Sequence, residues 1–199
     1  MTLIEVVATF SVVALLAGLV MPLVRPRVEA ARIDRAKRDV EAIAQSLRTF
    51  WKTTGVWPCR DGAGNPDGLH LLCSGSRVPT SNPWLSANAW WTRLQTPQSD
   101  VLDNHLLRNA PKGSLAQRYP TSGLLAWRGP YNDAIGLDPW DRPYLVLVAA
   151  GRASPSGGDP YKLFVLSAGP DGHITTSIGG ASGATILGDD IGLVAWRRS

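Results

Sequence analysis

Residues 6–24 form an uncharged run that is followed directly by a charged, amphipathic segment, and this pair constrains the chain more than any other feature. In the second segment Ile33, Ala36, Val40, Ile43, Leu47 and Phe50 recur three and four apart, the spacing of one helical face. The pattern stops at Thr53-Thr54-Gly55, and Pro58 follows, a Gly-then-Pro stop signal. A helix over residues 1–54 would run about 80 Å at 1.5 Å per residue. Gly18, Pro22 and Pro26 are predicted to kink or loosen it, because proline removes a backbone donor. The first half is apolar all round and reaches the 18–20 residues that a bilayer span needs. It lacks a preceding basic stretch, and Pro22-Leu23-Val24-Arg25 is a poor cleavage site. A retained membrane-spanning helix is therefore expected rather than a signal peptide. Glu5 stands at the head of this run. It either sits at headgroup level or pairs with a cation from another chain or a terminus, since a buried charge needs a partner.

The net charge of +4 is concentrated. Residues 25–60 carry nine basic side chains against Glu29, Asp34, Asp39 and Glu41, while residues 61–199 balance. The picture is a neutral head on a basic stalk. The stalk's acids interleave with its bases, which argues against a nucleic-acid surface, and no specific nucleic-acid partner is expected. With 44% hydrophobic and 18% charged residues, the chain is not intrinsically disordered.

The head is expected over residues 55–199, with a loop-rich insert at 59–126. Short helices are predicted around residues 86–95 and 99–109, with Ser99 as an N-cap. Six tryptophans, at positions 57, 84, 90, 91, 127 and 140, fall in this part. They are read as core, with a carbohydrate or nucleobase platform as the sharper alternative. Residues 144–150 and 161–167 are rich in apolar and β-branched side chains and flank a polar loop, the pattern of a β-hairpin. A last strand is predicted at residues 193–196. Helix first and antiparallel strands afterwards give an α+β class.

Cys59 and Cys73 are the two cysteines. In a secreted or periplasmic head they would form a disulfide worth about 3 kcal/mol. The rival reading, a metal held by His70, Cys73 and Cys59, lacks a fourth ligand and standard zinc spacing. The sequence contains no Gly-x-Ser-x-Gly, His-Glu-x-x-His, P-loop or Gly-x-Gly-x-x-Gly motif, so no enzyme is expected. The glycine-rich stretch at 179–183 follows no strand-to-helix unit and is not read as a phosphate cradle. Ala168-Gly169-Pro170-Asp171-Gly172 and Gly188-Asp189-Asp190-Ile191-Gly192 place three carboxylates on glycine turns. They suit either solvent-exposed turns or an oxygen-rich Ca²⁺ site.

These features together resemble a known superfamily. Met1-Thr2-Leu3-Ile4-Glu5, followed by an apolar helix with Pro22, resembles the mature N-terminus of type IV pilins and type II secretion pseudopilins. Thr54-Gly55-Val56-Trp57-Pro58, Trp127-Arg128-Gly129-Pro130-Tyr131 and Asp138-Pro139-Trp140-Asp141-Arg142-Pro143-Tyr144 look like motifs of the major pseudopilin. So do residues 166–172 and 189–192. The resemblance implies a pilin fold: a long N-terminal helix, membrane-spanning in residues 1–24 and amphipathic in 25–54, packed on a small antiparallel sheet. It implies a filament subunit with Met1 (methylated after leader removal), Glu5 and Pro22 as assembly residues. Its calcium site would use Asp171, Asp189 and Asp190 with the carbonyls of Leu166 or Ser167. Implied partners are copies of the chain, minor pseudopilins, a prepilin peptidase and an inner-membrane assembly platform. The implied location is the bacterial inner membrane with a periplasmic head. The alternatives are a surface pilin with an adhesive head, or a membrane-anchored monomeric module that binds carbohydrate or DNA.

Overall fold

The computed structural model describes residues 2–85, 88–148, 162–177 and 186–197, without the side chains of residues 17, 19–23, 88, 162, 196 and 197. The first element, α1 (Leu3–Thr54), is a helix of 52 residues. Its start is closed by a capping box. The Thr2 side chain accepts from the Glu5 backbone N–H, and the Glu5 carboxylate accepts from the Thr2 N–H at 2.8 Å, which satisfies two otherwise orphaned donors. Its end is closed by Gly55 at φ 72°, whose N–H donates to the Trp51 carbonyl. A side chain at that left-handed position would be strained, which is why glycine stops the helix. The predicted break near Pro22 is absent, and the backbone is helical without interruption from 18 to 26. Each proline removes one donor, and the ladder on either side carries the helix through.

The second half of α1 buries the stripe that the sequence shows. Ala36, Val40, Ile43, Leu47 and Phe50 are at most 2% exposed. They pack on the sheet and on α3 (Leu102–Leu106). The first half buries none of its described side chains in this way. Its expected passage through a bilayer is overturned: among the described residues no helix is long and apolar enough to cross a membrane. The uncharged residues 6–16 belong to this first half. Thr9 and Ser11 lie within it and donate back to the carbonyls of Glu5 and Val7.

Among the described residues the head is built on five strands: β1 (Leu71–Cys73), β2 (Ser99–Val101), β3 (Leu145–Leu147), β4 (Lys162–Ser167) and β5 (Ile191–Arg197). They lie in the order β2-β1-β3-β4-β5. The expected antiparallel sheet is corrected to a mixed one. β1 runs parallel to β2, and the other pairs are antiparallel. Ser99 does not cap a helix. It sits in β2, where its hydroxyl donates to the Leu94 carbonyl at 2.5 Å, and α3 begins three residues later with no side-chain cap. The loop expected between the two hairpin strands lies outside the described residues. Strand alternation separates two cores. Leu72, Val146 and Val165 face α1, whereas Leu71, Cys73, Leu145 and Phe164 face α2 (Asn88–Leu94), Trp84 and Trp90. Trp84 and Trp90 are buried in this second core, in line with the structural reading of the tryptophans.

Polar contacts fix the stalk to the head. Trp140 Nε1 donates to Glu29 Oε1 at 3.0 Å, Tyr144 OH donates to Asp39 Oδ2 at 2.8 Å, and Arg48 Nε donates to the Ala195 carbonyl at 2.9 Å. Asp138 organises the turn that presents Trp140. Its Oδ1 accepts from the N–H groups of Trp140 and Arg142, and its Oδ2 accepts from the Ser167 hydroxyl. Within that turn Asp141 is held at φ 62°. A left-handed non-glycine residue costs about 1–2 kcal/mol, partly offset by the greater unfolded-state freedom of glycine. Asp141→Gly is therefore expected to raise stability by about 0.5–1 kcal/mol in urea unfolding. A loss of stability would show that the Asp141 side chain contributes a contact of its own.

Candidate functional site

Two regions collect the residues singled out above: the free half of α1 and the acidic turns. On the free half, Leu3 is 86%, Phe10 71% and Leu15 70% exposed, and Ile4, Val7, Val12, Val13, Leu16, Val24 and Val28 are also open to solvent. Steps of 100° per residue put Phe10, Val7, Leu15, Val12, Leu16 and Val13 around the whole circumference. The apolar surface is thus a cylinder rather than a stripe. From the head, the side-chain hydrogen bond nearest the N-terminus is the one at Glu29. The ion pairs beyond the cylinder, Arg32–Glu29 at 3.7 Å and Arg35–Asp39 at 3.6 Å, are exposed and contribute little.

Glu5 is at the tip of this cylinder, engaged in the capping box. It accepts from Thr2 N and also lies 3.3 Å from Thr2 Oγ1. Its carboxylate therefore already has donors within its own helix. Met1 and the Pro22 side chain lie outside the described residues.

The acidic turns meet at one end of the sheet. Gly169, at φ 63°, lies so close to the Asp189 carbonyl that an added Cβ would overlap it. The Asp171 N–H donates to Asp189 Oδ2 at 3.1 Å, and Asp171 Oδ1 accepts from the His173 N–H. Asp190 turns the other way. Its Oδ2 accepts from the N–H groups of Thr175 and Thr176 and from the Thr175 hydroxyl. Burial pushes its carboxyl above the usual aspartate range even though these donors oppose the shift. Its Oδ1 is buried and has no hydrogen-bond partner among the described residues. Ser167 directs its hydroxyl to Asp138, and Leu166 pairs with Gly192 in the β4–β5 ladder. Among the described residues no group of three carboxylates, histidines or cysteines is close enough to hold a metal. What the turns do offer is one orphaned carboxylate oxygen with backbone carbonyls nearby in the chain, a donor set of the all-oxygen kind that calcium takes.

The expected disulfide is absent, and both cysteines are reduced and buried. The reason is sheet geometry. Cys73 shares its face with Leu71, whereas Cys59 packs in the core on the opposite face. There its thiol donates to the Val148 carbonyl at 3.3 Å. Side chains pointing away from each other across a sheet cannot be bridged. Burial pushes the Cys73 thiol up to about 12, with the nearby Asp100 charge adding to the effect, so it stays protonated and unreactive. The same separation removes the His70–Cys73–Cys59 metal reading.

Sequence reasoning missed a buried polar network in the insert. Asp100 Oδ1 accepts from Val101 N and Asn104 Nδ2, and its Oδ2 accepts from Lys112 N at 2.6 Å and meets His105 Nε2 at 3.0 Å. His105 Nδ1 lies 2.8 Å from Tyr119 OH. His105 is fully buried and Tyr119 is 1% exposed, so this Asp–His–Tyr chain is closed to substrates. Only the Asp-Val-Leu-Asp-Asn-His spacing hinted at it.

No family model, no curated protein and no solved structure matches this chain. The resemblance to type IV pilins and pseudopilins is thereby overturned, because short motifs had carried it and no match over any larger part of the chain supports them. The filament-subunit function, the surface-pilin and membrane-anchored alternatives, and the single-pass inner-membrane location fall with it, given that no described helix can cross a bilayer.

Proposed function

We propose that this protein is a self-associating, non-enzymatic scaffold whose helical arm, residues 3–28, is buried by the arms of other copies. The observation that carries this reading is the apolar cylinder, with large side chains exposed on every side and, among the described residues, none of its side chains buried against its own head. Exposed apolar surface of this extent marks an interaction site. A single groove would cover one side only, so several parallel arms are needed to enclose it. An identical arm is the partner whose length and polarity match by construction. The non-enzymatic part rests on the enclosure of the Asp100–His105–Tyr119 chain and on the protonated, buried Cys73. Sedimentation of the full chain at micromolar concentration is expected to give one discrete mass of three or more copies. A monomer, or capture by neutral lipid vesicles in place of self-association, would overturn the proposal.

Calcium is proposed as a stabilising ligand of the 188–190 turn, supported by the orphaned Asp190 Oδ1. The cation would offset the charge of the buried Asp190 carboxylate and hold the turn that Asp190 forms with Thr175 and Thr176. Binding to the folded state alone adds about 2.7 kcal/mol at a hundred times Kd. Millimolar calcium is therefore expected to raise Tm relative to chelator, and Asp190→Asn to abolish the difference. Identical melting curves for the wild type with calcium and with chelator would leave only turn-forming aspartates.

A further inference from the structure

We propose that the cleft between α2 and the start of the β1–β2 pair binds an anionic sugar, with Arg93 as the anion-binding group. The cleft has a volume of about 560 Å³ and is lined by His70, Ala89, Thr92, Arg93, Thr96 and Gln98. Its shape follows from α2. Positions 89, 92, 93 and 96 are spaced i, i+3, i+4 and i+7, so they line one side of the helix and its C-terminal extension. The opposite side is anchored by Trp90 and Leu94 in the core, with Trp90 Nε1 donating to the Thr176 carbonyl at 2.7 Å. The other wall is equally fixed. The Gln98 carbonyl accepts from the N–H groups of both His70 and Leu71, and the His70 carbonyl accepts from Val148 N. Both walls belong to the packed sheet and helix, so the cleft is formed before any ligand arrives.

The chemistry of the lining selects the ligand. None of the six residues is acidic. Arg93 is half-buried, and its guanidinium has no hydrogen bond or ion pair to any described residue. A guanidinium fork matches the paired oxygens of a carboxylate or phosphate. The Thr96 hydroxyl donates to the Arg93 carbonyl at 2.7 Å, which leaves its lone pairs to accept from a ligand hydroxyl. Thr92 and the Gln98 amide add donors and acceptors at the surface. The volume lies within the roughly 300–1,000 Å³ of small-molecule sites and far exceeds that of a lone phosphate. Among the described residues no Phe, Tyr or Trp lines the cleft, so recognition rests on the anion and on hydroxyl hydrogen bonds rather than on stacking against a large ring. A sugar bearing one anionic group, as a phosphate ester or as a uronic acid, meets all of these conditions.

Calorimetric titration of the full chain with glucose 6-phosphate, glucuronic acid and glucose tests this. At least one of the two anionic sugars is expected to bind at millimolar concentration or below, and glucose at least tenfold more weakly. Which of the two binds better identifies the anion as phosphate or carboxylate. Arg93→Gln is expected to weaken that binding at least tenfold while leaving Tm unchanged, because its side chain holds nothing in the fold. No binding of either anionic sugar, equal binding of glucose, or full binding by Arg93→Gln would overturn the proposal. If Arg93→Gln lowers Tm, Thr92→Val at the exposed rim is the second variant, expected to weaken binding severalfold at unchanged Tm. Unaltered binding in that variant would also count against the site.

Discussion

Replacing Asp100 with alanine is expected to destabilise the fold by about 3–5 kcal/mol, the range for removing one member of a buried charged network. Asp100 is 4% exposed, and its carboxylate takes four partners from two places in the chain: Val101, Asn104 and His105 beside it, and Lys112 beyond α3. Alanine would leave the Val101 N–H, the Asn104 amide and His105 Nε2 buried without this acceptor, each costing about 1–3 kcal/mol before relaxation. Tyr119→Phe removes only the hydroxyl, which meets His105 Nδ1 and accepts a longer bond from Arg60 N, and is expected to cost about 1–2 kcal/mol. The pair of values separates loss of the hub from loss of a branch. Urea unfolding measures both, and an Asp100→Ala cost below 1 kcal/mol would mean that the insert is held by its apolar contacts alone.

The same residue sets an acid dependence. Burial raises the Asp100 carboxyl, but the hydrogen bond and charge of His105 and the N–H groups of Lys112 and Val101 outweigh it and hold the group below the ordinary aspartate range. A depressed carboxyl contributes stability that is present above its ordinary value and is lost as pH falls through the folded one. Asp138 is shifted the other way by burial. Its contribution is fully present below the ordinary value and is lost as pH rises through the folded one. Wild-type stability is thus expected to fall on acidification below about pH 4, and Asp100→Asn to flatten that fall.

The second large effect concerns the arm. Phe10→Lys combined with Leu16→Lys is expected to weaken self-association about a thousandfold or more. The two positions lie on different sides of the cylinder, so rotation within a bundle cannot expose both. Burying two ammonium groups without partners costs at least several kcal/mol, and each 1.4 kcal/mol is tenfold in the dissociation constant. Because neither side chain touches the head, the head's near-ultraviolet dichroism and Tm should match the wild type. The measurement is the mass by sedimentation across a concentration series. An unchanged mass would place the association elsewhere and sink the scaffold reading, while a lost head signal would show that arm and head are coupled.

What could be read along the chain was local. The stripe from Ala36 to Phe50, the Gly55 stop and the apolar run before Arg25 depend on neighbours within a turn or two, and each is set by backbone periodicity and sterics. The α+β composition followed from the same kind of signal. The short motifs that suggested a pilin are also local, and local agreement does not carry a family.

Tertiary structure decided the rest, because the deciding contacts join residues far apart in sequence. Pairing of β1 with β2 in parallel turned Ser99 from a helix cap into a strand residue. Alternation along β1 sent Cys73 to the face opposite Cys59 and removed the disulfide. The rotation of α2 about Trp90 and Leu94 turned Thr92 and Arg93 outward into a cleft. Asp100, His105 and Tyr119 became one buried chain only when the segment after α3 folded back over it. In each case the residue types were visible in the sequence. Their facing was not, because side-chain direction depends on which strands pair and which helix face finds the core.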